Sequence, residues 1–265
     1  MSAISMNIGK GLLALIVMGI VLLPGGITLG NNQTIILLAI SGILGISFGD
    51  TLYFMTLSRL GSRLTLLMGS LIPVTTAIIA AVFLKESISL LSWSGVALTV
   101  AGVTYVMWDR NSDVKISKHW LQGVGIGLVF VFSNSLSIIF SKMGVEDIPS
   151  MDATFMRQVW AIAGFAFMGL VTAKMLPWVK PLSDPRLIKP LIIAAFIGAF
   201  LGTWLSIFAL KSTYVTVATV LNSTSPLFIL PLAVWVLKEQ VSVRAVLGAV
   251  VALVGVAIYF FSIPM

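Results

Sequence analysis

Cysteine is absent from the 265 residues and histidine occurs once, at position 119. The first absence excludes a disulfide framework, a thiolate metal site and a thiol nucleophile, and the second argues against a histidine-built metal centre. Charge is nearly as scarce: Asp, Glu, Lys and Arg make up 9% of the chain, against about a quarter in a soluble globular protein. The nine acidic residues give no carboxylate pair within an apolar segment, no H-E-x-x-H and no glycine-rich phosphate loop. An enzyme and an ATP-driven pump are therefore not expected, nor is any cofactor. A channel would show a ring of charges or a filter signature, and none is visible. What fills the sequence instead is apolar: 58% hydrophobic residues and a mean hydropathy of +1.10. Such a chain belongs in a lipid bilayer. Disorder, a collagen-like fibre and nucleic-acid binding are excluded with it.

Runs of about 17 to 25 predominantly apolar residues predict nine membrane helices, near 11–29, 34–57, 64–84, 91–108, 119–143, 152–174, 187–210, 213–237 and 241–262. Pro73 and Pro226 interrupt the third and eighth. A transmembrane β-barrel would show alternating segments of about ten residues. The first run follows Lys10 and ends at Pro24-Gly25-Gly26 without a small-x-small cleavage pattern, so it reads as a mature helix and not a signal peptide. The connecting loops differ in charge: with the N-terminus on side one, the basic residues divide 12 to 4 in favour of that side. By the positive-inside rule side one is cytoplasmic and the C-terminus lies outside. The net charge of +7 thus reports topology and not an anionic macromolecular partner.

Sliding the chain on itself by 153 residues aligns Leu38–Val103 with Leu191–Val256 without a gap. Gly45 and Gly49 fall on Gly198 and Gly202; Ser70 and Pro73 fall on Ser223 and Pro226. Leu84-Lys85-Glu86 falls on Leu237-Lys238-Glu239, and Gly95 and Gly102 fall on Gly248 and Gly255. Such register signals a duplication, with one repeat over 1–108 and another over 119–262. The second contains five spans and the first four, with Lys10 opposite Arg157. The first repeat thus lacks its opening helix: either the chain starts inside a longer product or a helix has been lost. An odd number of spans per repeat inverts the copies in the membrane. Inverted repeats are a recurrent transporter architecture, with the substrate site near the midplane.

A proline inside an apolar run, then Leu-x-Glu, a short polar loop and a helix with glycines seven apart occurs twice. It reads Pro73, Leu84-Lys85-Glu86, Gly95 and Gly102, then Pro226, Leu237-Lys238-Glu239, Gly248 and Gly255. This doubled pattern resembles the EamA-type repeat of the drug/metabolite transporter superfamily. The resemblance implies an all-α permease of ten helices in two inverted repeats, moving small metabolites through a central cavity. The nine spans depart from that number, and the external C-terminus departs from the family's usual cytoplasmic termini.

Polar groups inside spans turn away from lipid, toward other helices or a wet cavity. Asp50 is the one carboxylate well inside a span, with Tyr53 on nearly the same face. It reads either as a protonatable coupling group or substrate contact, or as a carboxylate paired with Arg59 or Arg63. Ser133, Asn134, Ser135 and Ser137 lie mid-span; Asn222 and Ser223 precede Pro226; Ser70 and Thr76 flank Pro73. Each alone reads as interhelical hydrogen bonding, whereas the cluster beside proline breaks reads as a cavity. Asp50, Tyr53, Ser70, Thr76, Asn134, Ser137, Trp204, Asn222 and Ser223 are therefore the cavity candidates, with Pro73 and Pro226 as helix breaks. Trp160 and Trp204 sit inside spans, placed to stack on a substrate; Trp178, at a span end, reads as an interfacial anchor. Lys10 and Arg157, near the starts of equivalent helices, read first as snorkelling cations; of the two, Arg157, five residues inside its span, is the better candidate for binding substrate. Gly45, Gly49, Gly198 and Gly202 read as packing surfaces.

These observations lead to an expected multi-pass integral membrane protein of the plasma membrane, or of the inner membrane in a bacterium. Its function is secondary-active movement of a small metabolite or drug-like solute, with protons as a candidate coupling ion and a homo-oligomer left open. The competing reading is a non-transporting assembly subunit of the membrane.

Overall fold

The computed structural model describes residues 2–85, 89–107, 118–223 and 243–261. They form α1 (Ala3–Leu22), α2 (Asn32–Gly42), α3 (Asp50–Gly69), α4 (Ile72–Phe83), α5 (Leu90–Met107), α6 (Lys118–Val145) and α7 (Ser150–Val171). After them come α8 (Met175–Val179), α9 (Pro185–Ala194), α10 (Thr203–Ser212), α11 (Val215–Ser223) and α12 (Val243–Phe261). No strand occurs among the described residues. Five continuous apolar stretches are long enough to cross a bilayer: Ala3–Leu22, Asn32–Gly61, His119–Val145, Ser150–Val171 and Arg186–Ser212. Ile72–Phe83 and Leu90–Gly102 are shorter apolar helices.

Caps explain where the helices start. The Ser2 hydroxyl accepts from the Ser5 N–H at 3.1 Å and the Asn31 amide oxygen from the Thr34 N–H at 2.8 Å, each satisfying a donor that the first helical turn leaves free. The first helix consequently begins at Ala3, eight residues before the apolar run suggested. Asn32–Gly61 is 30 residues long, about 45 Å at 1.5 Å per residue, enough for the hydrocarbon core and both headgroup layers. It bends at Gly61, whose φ of 78° is a conformation that glycine adopts without a Cβ clash.

Two segments wind more widely than an α-helix. Ile43–Gly49 joins α2 to α3, and Ala195–Gly202 joins α9 to α10, both as π-helix. Shifted by 153 residues, Ile43–Gly49 becomes 196–202, so the rare i→i+5 winding recurs at matching places. Pro73 differs from its expected role. The helix does not run through it; α4 starts beside it, with Pro73 in the first turn, where a missing N–H costs nothing. The expected 64–84 span is thus the tail of α3 followed by α4. Pro226 and the greater part of the expected 213–237 span lie outside the described residues.

The chain forms two compact units, residues 1–54 with 136–212 and residues 55–135 with 213–265. Each unit takes helices from both halves of the sequence. In the first, Ala14 and Met18 of α1 pack with Ala199 and Phe200 of the second π-segment. Ile8 packs with Phe165 and Trp178. Trp178 is therefore a buried wedge and not the interfacial anchor expected, because α8 folds back beneath α1.

In the second unit α5 and α12 lie side by side. A Cβ on Gly102 would collide with the backbone of Ala252 and Gly248; one on Gly255 would collide with Thr99 and the Gly95 carbonyl. The contact is reciprocal at the 153-residue shift: Gly102 corresponds to Gly255, Thr99 to Ala252 and Gly95 to Gly248. Lipid tails are as apolar as leucine, so such close approach and its dispersion contacts take the place of a hydrophobic drive. Gly102→Val is expected to lower stability by about 1–3 kcal/mol, the range for overpacking a tight contact. Gly125→Ala, at a position where a Cβ meets nothing within 4 Å, serves as the control. Thermal unfolding of the detergent-solubilised protein checks the pair, and equal melting temperatures would refute this account of the contact.

Candidate functional site

The first unit contains a polar seam between α2, α6 and α7. The Ser41 hydroxyl donates to the Ser137 carbonyl at 2.9 Å and the Ser137 hydroxyl to the Ser41 carbonyl at 2.7 Å. The Ser141 hydroxyl lies against the Ser41 hydroxyl and within 2.8 Å of the Ser137 carbonyl, with its one hydrogen to give to either. The helices approach this closely because the facing residues are small. A Cβ on Gly42 would strike the Arg157 carbonyl, and one on Gly45 would strike the Ser137 hydroxyl. Gly45 thus carries the packing role expected of it, and Gly49 is buried. Gly198 and Gly202 are exposed, and no residue lies within 4 Å of a Cβ placed on Gly198. Among the described residues, the expected second packing surface is therefore not formed; Ala199 and Phe200 of the same segment supply the contact with α1 instead.

Arg157 enters the seam from α7, seven residues after Ser150, or about 10 Å along the axis. It does not snorkel: 8% of its surface is exposed, and its Nη2 donates to the Ser137 hydroxyl at 3.4 Å. Among the described residues, its Nε has no partner. Asn7 of α1 is 2% exposed, with no partner among the described residues for either amide atom, and Gln158 is buried as well.

Asp50 opens α3 half-buried. Lys10 is the cation whose field reaches it, whereas Arg59 donates to its own helix at the Met55 carbonyl, 3.3 Å away. The Arg63 side chain lies outside the described residues. Tyr53 sits edge-on to Phe54, 5.2 Å between centroids. Trp204 donates from its indole to the Ser150 hydroxyl at 3.2 Å and stacks on Phe200 at 6.4 Å. Trp160 is exposed. Near Trp204, Lys142 donates to the Leu210 carbonyl at 2.8 Å and Lys211 to the Ile148 carbonyl at 2.7 Å. Asp152 accepts from the Thr28 N–H at 3.1 Å.

The second unit contains a cavity of about 260 Å³ lined by Leu60, Leu64 and Met68 of α3, Thr104 of α5, Trp120 and Val124 of α6, and Ser70. The Ser70 and Thr104 hydroxyls lie 3.5 Å apart on its wall. An apolar cleft with a few polar groups is the usual character of a small-molecule site. Thr76 is fully buried, and its hydroxyl has no partner among the described residues. The Asn134 amide donates to the Phe130 carbonyl of its own helix at 3.2 Å, and Ser135 donates to the Ile72 carbonyl at 3.3 Å. Asn222 is exposed. The Ser223 side chain and Pro226 lie outside the described residues.

The structure thus gathers Ser137 with Arg157 in one unit and Ser70 with Thr104 and Trp120 in the other. Asn7 escaped notice because it precedes the apolar run; the Ser2 cap was the signal that could have found it. Ser41→Ala and Ser137→Ala each remove one hydroxyl-to-carbonyl bond between α2 and α6, and each should lower stability to unfolding in mixed micelles by about 0.6 kcal/mol, the mean for interhelical polar contacts in a membrane. Unchanged stability in both variants would mean that these hydrogen bonds do not hold α2 to α6.

The EamA-like transporter family matches residues 1–108 and again 121–261. An uncharacterized transporter of Archaeoglobus fulgidus is 27% identical over 225 residues, 84% of this chain and 75% of that protein. An uncharacterized transporter of Synechocystis is 24% identical over 229 residues, 84% of this chain and 65% of that protein. A solved crystal structure superposes with a TM-score of 0.80 at 16% identity, over 98% of this chain and 88% of that one, a likeness of fold alone. With two matches that together span nearly the whole chain, and with apolar helices of membrane length, this multi-pass membrane protein belongs to the EamA-like transporter family.

Proposed function

We propose that the protein is a secondary transporter that moves a small solute by alternating access, built from two inverted repeats over 1–108 and 119–262. The observation that carries this reading is the pair of π-helical segments, Ile43–Gly49 and Ala195–Gly202, at positions that the 153-residue repeat makes equivalent. Interrupted helices at corresponding places in two halves are the strongest pointer to a transporter mechanism in a chain of this kind, and π-turns recur at functional sites. The reciprocal contacts of Gly102 and Gly255 support the same symmetry. The cavity beside Ser70, Thr104 and Trp120 draws on helices of both repeats, as a path between them would. Asp50, half-buried in the field of Lys10, is the candidate for proton coupling, and Tyr53, Thr76, Asn134, Asn222 and Ser223 remain candidates for the solute path.

Purified protein in proteoliposomes, offered a panel of radiolabelled amino acids, sugar phosphates and carboxylates with and without a pH gradient, tests this. At least one solute should accumulate. No flux for any of them, together with stoichiometric capture of another membrane protein, would favour the assembly reading. Two substitutions refine the result. Val124→Trp, which fills much of the cavity, should cut flux at least tenfold, on the order of the 10–200-fold that small changes in pocket fit produce. Asp50→Asn should abolish stimulation by the pH gradient while leaving solute exchange intact. Unchanged gradient-driven flux would remove Asp50 from coupling.

A further inference from the structure

We infer that Arg157 is an anion-binding group, taking a carboxylate or phosphate of the transported solute; this rests on the transporter reading above. A cation buried in a membrane helix is costly unless compensated. Among the described residues, Arg157 has one hydrogen bond, at 3.4 Å, and its Nε has none. The carboxylates of the same unit are engaged elsewhere or out at the surface. Asp152 accepts from the Thr28 N–H, Asp184 caps α9 through the Arg186 N–H, and Asp50 lies in the field of Lys10. Glu146 and Asp147 are exposed.

The guanidinium has five N–H donors in a planar fork matched to carboxylate and phosphate oxygens. Its one partner, Ser137, accepts from Nη2 while giving its own hydrogen to the Ser41 carbonyl. Small residues surround it: a Cβ on Gly45 would strike the Ser137 hydroxyl and stand 3.5 Å from Nη2, so a larger side chain there would displace the serine and crowd the fork. The buried charge and the spare donors together describe a receptor for an oxyanion, held against the π-segment Ile43–Gly49. An arginine serving only to pack α7 would have its donors spent on carbonyls or a carboxylate.

The full chain, purified in detergent, is melted alone and with benzoate, glutamate or inorganic phosphate, and with benzamide as the neutral counterpart of benzoate. At least one anion should raise the wild-type melting temperature by several degrees, and benzamide should not. Arg157→Met should lose the shift, and its ligand-free melting temperature should equal or exceed that of the wild type, because an uncompensated buried charge has been removed. Arg157→Lys should keep part of the shift. A fall of several degrees in ligand-free Arg157→Met would show the arginine to be structural and overturn the proposal. So would the absence of any anion effect in the wild type, or its persistence in Arg157→Met. Stabilisation that depends on Arg157 but arises only in phosphatidylglycerol nanodiscs, compared with phosphatidylcholine, would assign the site to a lipid headgroup and overturn it as a solute site. Binding is read without flux, so a protein that binds the anion through Arg157 yet moves no solute in proteoliposomes would sink the transporter reading and leave the anion site standing.

Discussion

Lipid offers no hydrogen-bond partner, and the rest of this structure follows from that constraint. The backbone answers it by staying helical. Side-chain hydroxyls answer it by turning back on their own helix: Thr51 donates to the Ser47 carbonyl, Thr99 to Gly95, Thr154 to Ser150 and Thr219 to Val215. Where two helices come close, hydroxyls cross between them, as Ser41 and Ser137 do. Against this economy the few groups that stay unpartnered, Asn7, Thr76 and the Nε of Arg157, stand out. Burying a polar group without a partner costs about 1–3 kcal/mol on mutational scales, so each sets packing and hydrogen bonding against something else that the site does.

Close approach is the second consequence. Apolar side chains gain little by meeting one another where the solvent is also apolar, and many here point outward: Ile16, Ile20, Phe167 and Leu170 are exposed and face lipid. The helices are held where backbones touch. Gly42 lies against the Arg157 carbonyl, Gly102 against Ala252 and Gly255 against Thr99. A glycine count would not separate these from Gly25 or Gly125, where a Cβ meets nothing. Contact, and not composition, distinguishes them.

Much of the helical architecture was legible in the sequence because hydropathy measures the same transfer that the bilayer performs. Family membership was legible because the duplicated pattern of proline, Leu-x-Glu and glycine survives twice. The failures have local causes. Pro73 read as an interruption within one span; the chain leaves α3 at Gly69 and restarts at Ile72 with Pro73 in the first turn, and sequence periodicity does not tell the first turn from the middle. Trp178 read as an anchor because it follows a span, but the short α8 folds it under Ile8 and Phe165. Arg157 read first as snorkelling because it stands near the start of its expected span, although its five-residue depth already made it a better candidate for binding than Lys10. Its surroundings on α2 and α6 are remote in sequence, and they bury it.

The wide turns join these strands of reasoning. A π-segment places one more residue in the turn than an α-helix does, shifting the face that every later side chain presents. In Asn32–Gly61 the shift falls between Ser41, which bonds α6, and Asp50, which lies in the field of Lys10. Continued as plain α-helix, the same sequence would present Asp50 about 100° further round the axis, one residue's rotation at 3.6 per turn. In Arg186–Ser212 the corresponding turn precedes Trp204, whose indole reaches Ser150. Insertion of a single residue into a helix is otherwise tolerated poorly, because it unmakes the contacts beyond it. At the first position beyond the turn one copy carries Asp50 and the other Thr203, with Trp204 beside it. The same backbone device thus orients unlike chemistry in the two halves, which is how a duplicated scaffold acquires an asymmetric interior.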